Sequence, residues 1–251
     1  MKVSTILILP ASLACFGVLF ASSVNAEWKF QNANVRHSGQ SESWICGPTT
    51  ISMWASAIWR VRANSISYSS PQKTIDLRKQ NIPPMDIADS CCRGGNNGDA
   101  TNIPEFMRGI YDWTPSNPAY IFSEWTYSND KAAIKGVMWT VARFGEPVAV
   151  AGGNGSHYLL VRGGRSEYNP FDYYSSKNPI RGVYVNDATE DSPKYSRPVS
   201  GMYKDREYPP ATLMGYWTKI GAQWDKKHRS IERYGTSNGK TYSNNDRFEN
   251  Y

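Results

Sequence analysis

The sequence predicts an α+β domain in which helices come first and an antiparallel sheet follows. Two patterns carry the prediction. In the first half, apolar residues recur at spacings of three and four, the helical period. Beyond Pro147 they fall into short runs separated by Gly-, Asn- and Pro-rich turns, the habit of hairpins. Composition bounds the class. Of 251 residues, 40% are hydrophobic and 20% charged; that suffices for one domain core, or two small ones, and excludes a disordered polyelectrolyte. Helices followed by strands give two halves with a cleft between them.

The N-terminus reads as an export signal rather than as part of the fold. Lys2 supplies a short positive region, residues 5–20 are an apolar run, and Val24-Asn25-Ala26 places small residues at a cleavage site. The run is shorter than the roughly 20 residues a spanning helix needs, and Pro10 interrupts it, so no stable membrane anchor is expected. The expectation is therefore a signal peptide over 1–26, a domain over 27–222 and a polar tail over 223–251, in a secreted or periplasmic protein. The formal charge is +6, yet no Lys/Arg run exceeds two residues, which argues against a nucleic-acid partner.

The elements follow in order. Residues 48–61 read as a helix whose stripe is Ile51, Trp54, Ile58 and Val61, with Cys46-Gly47-Pro48 at its start. Ser70-Pro71 opens a short helix to about Gln80. Asn102 with Glu105 forms a capping box for a helix to about Tyr111. A fourth helix spans about Lys131 to Phe144, with Ile134, Val137, Met138 and Val141 on one face and Gly145 as its C-cap. Pro147–Ala151 and His157–Val161 form a hairpin around a glycine-rich turn, Gly182–Asp187 is a third strand, and Thr212–Ile220 is expected as a fourth.

One constellation carries chemistry. Cys46 sits at a helix N-terminus, where the macrodipole and first-turn N–H groups favour a thiolate. Gln40 lies six residues upstream, and a side-chain amide there is suited to donate to an oxyanion. His157 opens a strand after a flexible turn, and Asp187 ends the next strand. Nucleophile, base and orienting residue is the logic of thiol hydrolases. Asn186 and Asp191 compete for the orienting role. His37 and His228 are expected to be solvated. Cys91 and Cys92 have three readings: a vicinal disulfide, pairing with other chains, or a bridge from one of them to Cys46; a structural role is favoured. No set of residues with metal-ligand spacing is apparent, and neither metal nor cofactor is expected.

Gln40-x5-Cys46-Gly47-Pro48, then Gly155-Ser156-His157 opening an apolar strand, then Val185-Asn186-Asp187, resembles the papain-like cysteine peptidase superfamily over roughly residues 38–190. The Cys-Gly-Pro start looks like bacterial double-glycine peptidases. Asp89-Ser90-Cys91-Cys92 and the Asn102–Phe106 segment look like secreted effector-type papain-like proteases. The resemblance implies a two-lobed fold, with a helical lobe bearing the nucleophile helix and a β-sheet lobe bearing the histidine. It also implies a Cys46–His157–Asp187 triad with Gln40 in the oxyanion hole, a polypeptide substrate, and inhibition, if any, by a separate protein. Two alternatives stay open: an inactive papain-like binding or toxin-like protein, and a cell-wall cysteine amidase. The pattern departs from papain-type enzymes in having Trp44 before Cys46 and Gly-Pro after it.

Overall fold

A computed structural model describes residues 27–32, 34–65, 79–92, 101–115, 120–152, 157–171, 178–217 and 228–236. The segment 1–26, most of the helix expected from Ser70, the turn at 153–156, the end of the strand expected at 212–220 and the chain beyond 236 lie outside the described residues. The described strands are β1 (Trp28–Gln31), β2 (Tyr120–Tyr127), β3 (Val148–Gly152), β4 (His157–Ser166), β5 (Ile180–Asp187), β6 (Glu207–Tyr208) and β7 (His228–Thr236). They form one open antiparallel sheet in the order β2-β7-β3-β4-β5-β6, with β1 pairing along the distal half of β4. The described helices are α1 (Cys46–Ser65), α2 (Pro84–Ile87, continuing into a π-helical turn over Ala88–Cys92), α3 (Ile103–Trp113), α4 (Asp130–Phe144) and α5 (Pro210–Tyr216).

The α+β class is as expected, and the order of elements is more mixed. β1 and β2 enter the sheet early, and helices lie on both faces. Side chains alternate along a strand, and here the alternation divides two cores. Ala149, Ala151, Tyr158 and Leu160 face a core with Ile51, Trp54 and Ile58 of α1 and Phe106 and Ile110 of α3. Val148, Val150, Leu159, Val161, Val183 and Val185 face the other, with Val137, Met138 and Val141 of α4 and Leu213 of α5. Aromatic side chains help fill these cores: Trp54, Trp217 and Phe106 are among the largest fully buried side chains. Tyr184 and Tyr208 are tied into the sheet edge, Tyr184 donating to Glu207 Oε2 at 2.8 Å and Tyr208 accepting from the Tyr203 N–H at 2.8 Å.

The capping predictions hold at α3 and α4. Asn102 and Glu105 cap each other's backbone N–H groups, both at 2.9 Å, and Gly145 closes α4 in the left-handed conformation. On α1, Ile51, Trp54 and Ile58 are buried, but Val61 is 47% exposed, so the expected stripe ends a turn early, and Trp59 and Arg60 are buried there instead.

Two expectations fail for physical reasons. The strand expected from Thr212 is helical, over Pro210–Tyr216. Pro210 presets the first turn, and Ala211, Leu213 and Met214 are helix formers. The tail expected from 223 contains β7, which lies between β2 and β3. Its buried acid finds partners inside the fold. Glu232 is fully buried, yet its carboxylate accepts from Tyr127 Oη and Ser230 Oγ, both at 2.6 Å, and from Thr140 Oγ1. His228 is buried as well, and pairs with Asp130 at 2.9 Å.

A chain ending at 222 therefore loses a central strand. Removing Ile231 alone forfeits about 2–5 kcal/mol, and the ladders to β2 and β3 go with it, against a total stability of about 5–15 kcal/mol. Thermal unfolding followed by circular dichroism is expected to show no cooperative transition for that truncation, and a sharp one for the intact chain. Among the described residues, no helix is long and apolar enough to cross a membrane.

Candidate active site

Antiparallel pairing of β4 with β5 builds the base and its partner. His157 begins β4 and Asp187 ends β5, with Leu159 opposite Asp187, so both residues sit at one end of the sheet. α1 packs its first turn there. Cys46 shares a core cluster with Tyr158 and Ala188, the neighbours of His157 and Asp187. Gly47 lets the start of α1 pack against the segment before α3: a Cβ on it would lie 2.5 Å from Thr101 Cβ.

His157 Nε2 and Asp187 Oδ1 are 2.7 Å apart. Asp187 is ionised and only accepts, so Nε2 carries the proton and Nδ1 is left for Cys46. The Cys46 side chain engages the imidazole by hydrogen bond and by charge. Burial works to lower the His157 pKa; the hydrogen bonds to Asp187 and Cys46 and both negative charges outweigh it and raise it to about 9. For Asp187, burial works upward, and His157 with the Ser200 and Thr189 donors holds the carboxyl well below the usual range. Those donors are the Thr189 N–H at 2.9 Å, the Thr189 hydroxyl at 2.6 Å and the Ser200 N–H at 2.9 Å. The loop after β5 thus wraps the carboxylate. Asp187, and neither competitor, holds the imidazole: the Asn186 amide points at Met53 Sδ, and Asp191 pairs with Lys204 at the surface.

Gln40 is fully buried. Its N–H donates to the Ala188 carbonyl at 2.7 Å, which pins the segment before α1 against the residue following Asp187. Its side-chain Nε2 donates one proton to the Glu42 carbonyl at 2.8 Å, which leaves a second. His37, expected to be solvated, is instead packed beside this segment and donates from Nε2 to the Asp187 carbonyl oxygen at 2.9 Å.

Cys91 and Cys92 are joined to each other as a vicinal disulfide, in which Cys46 takes no part. Of the three readings, the structure takes the vicinal disulfide, and the bridge to Cys46, the one reading that would remove the nucleophile, is not formed. The disulfide is buried against α3, where a Cβ on Gly109 would lie 2.5 Å from Cys91 Sγ and 2.8 Å from Ile51 Cδ1. Its place is in the packing between α1 and α3. Among the described residues, no three His, Cys, Asp or Glu side chains are placed to hold a metal ion.

Sequence reasoning missed Tyr216, which falls in the segment misread as a strand. Its ring lies edge-on to His157, with centroids 6.1 Å apart and planes at 86°. The ring also fills the space that a Cβ on Gly152 would need, 2.5 Å from its Cε1. Its hydroxyl is buried without a partner, and burial followed by the charges of Asp187 and Cys46 raises its pKa. Cys46 is 2% exposed, His157 6% and Asp187 0%, while Tyr216 is partly exposed. Tyr216 therefore stands between the triad and solvent. Tyr216→Ala is expected to speed alkylation of Cys46 by iodoacetamide about tenfold or more, and Tyr216→Phe to leave it near wild type, as read by mass spectrometry of the Cys46 peptide.

Compared with protein-family models, curated proteins and solved structures, this chain matches none. The functional reading rests on the site itself.

Proposed function

We propose that this protein is a secreted cysteine peptidase of the papain-like superfamily, acting on polypeptide substrates through a Cys46–His157–Asp187 triad. The observation that carries the reading is the imidazole of His157, held by Asp187 through Nε2 and engaged by Cys46 at the N-terminus of α1. That triple arrangement is what an acyl-transferring thiol requires. That Cys46 is not disulfide-bonded supports the same reading, and a Cys91–Cys92 disulfide suits an exported protein.

The steps follow from the geometry. His157 Nδ1 takes the Cys46 proton, and the resulting imidazolium is held by Asp187. The thiolate attacks a peptide carbonyl carbon. N–H groups in the first turn of a helix have no partner within the helix; the one at Cys46, with the second Nε2 proton of Gln40, receives the oxyanion. Loss of one such donor costs about 10²–10³ in rate. His157 protonates the leaving amine, and the thioester is then hydrolysed by water that His157 deprotonates.

Parallel digestion of casein and of purified peptidoglycan, each before and after alkylation of Cys46, tests the reading. Cleavage of casein that alkylation abolishes supports it. Release of peptidoglycan fragments alone identifies a cell-wall amidase instead. Inertness toward both, with a fully alkylatable Cys46, identifies a binding protein.

A further inference from the structure

A cleft of about 460 Å³ opens apart from the triad, lined by the N-terminal segment, by Arg162 of β4 and Asn186 of β5, and by the loop before β6. Its lining residues include Arg36, His37, Arg162 and Lys204 and one acid, Asp205; a second acid, Asp191, pairs with His37 and Lys204. We propose that this cleft is a binding site for a small oxyanion, of phosphate or carboxylate type.

Four observations converge on it. First, Arg162 is buried, and its ionic partner Asp205, at 2.6 Å, is 73% exposed at the side chain. A buried cation balanced only by a solvated carboxylate is weakly compensated. Second, Arg162 Nε and Asn186 Oδ1, both from lining residues, are buried without hydrogen-bond partners. Buried polar atoms are normally satisfied, so the hydrogen bonding of this corner is incomplete. Third, Arg36 is exposed and makes no ion pair with any described residue. Fourth, the corner is rich in positive charge beyond the cleft wall. Arg60 is buried, and donates to the Asn34 carbonyl at 2.6 Å and to Asn81 Oδ1 at 3.0 Å, neutral acceptors both. Burial first, and the charge of Arg36 second, bring its pKa down to about 10. An anion between Arg36 and Lys204 relieves that repulsion.

The two acids that now neutralise this corner, Asp191 and Asp205, are the described non-glycine residues with left-handed backbone, at φ 58° and 62°. They are held at the rim by the loops after β5 and before β6. A volume near 460 Å³ is within the usual range for small-molecule sites. His37 connects the cleft to the back of Asp187, but the proposal stands whether or not the triad is active.

The test is thermal unfolding of the intact protein in inorganic phosphate, in citrate and in sodium chloride at matched ionic strength. Expected is a saturable rise in Tm, about 5 °C or more, with phosphate or citrate over chloride. The stronger of the two names the ligand type. Arg36→Ala and Lys204→Ala, both away from the core, should keep the chloride Tm and lose the rise. No saturable rise over chloride in the wild type overturns the proposal, and so does an equal rise in both variants.

Discussion

Cys46→Ala is expected to lower hydrolysis by roughly 10⁶-fold, the scale of removing the nucleophile from a comparable triad, while leaving Tm within a few degrees. The size of the effect follows from the chemistry: without a thiolate there is no acyl-enzyme, and only the polarising donors remain. The small effect on stability follows from packing. Cys46 is buried at the start of α1, but alanine keeps the Cβ and deletes a single sulfur atom, and the thiol forms no disulfide. Activity on casein and thermal unfolding, measured together, separate loss of chemistry from loss of fold.

Asp187→Asn is expected to lower kcat/KM by about 10²–10⁴-fold, the usual contribution of a positioned acid–base pair, and to move the pH profile. In the wild type, burial depresses the His157 pKa and the Asp187 and Cys46 interactions more than reverse it, to about 9. The imidazolium therefore persists to about pH 9, where the alkaline limb falls. Removing the Asp187 charge leaves burial less opposed, so His157 deprotonates earlier and the limb moves to lower pH. Stability carries the same signature. A folded-state pKa raised above the ordinary histidine value of 6.5 stabilises the protein fully below that pH, and the contribution is lost as pH rises towards 9. Asp187, held well below its ordinary 3.8, contributes above that value and loses its contribution in acid. Urea titrations from pH 6 to 9.5 should show wild-type stability falling across that window, with a shallower fall in Asp187→Asn.

Much of the site was legible because its chemistry is local. A cysteine before Gly-Pro at a helix start, a histidine at a strand start and an aspartate at a strand end are each placed by short-range signals. Antiparallel pairing of β4 and β5 then brings the last two together. What escaped depends on long-range contacts. β7 looks like a polar tail because Glu232 and His228 find their partners, Tyr127, Thr140 and Asp130, roughly a hundred residues away. Tyr216 is obscured by its neighbour: Tyr216-Trp217 has the composition of a strand, while Pro210 at the first turn marks the helix that forms. His37 looks solvated until its acceptor, the carbonyl of Asp187, is known. The choice among the three fates of Cys91 and Cys92 rests on the packing of α3 against α1, which spacing alone does not encode.

The central claim is that His157 and Cys46 act as one chemical unit. Its most direct test is the rate of iodoacetamide alkylation of Cys46 at pH 7 in wild type and in His157→Gln, followed on the Cys46 peptide by mass spectrometry. Coupling predicts that the wild type reacts about tenfold faster or more, because only its thiol has a base to take the proton. Equal rates in the two proteins, both folded, would contradict it.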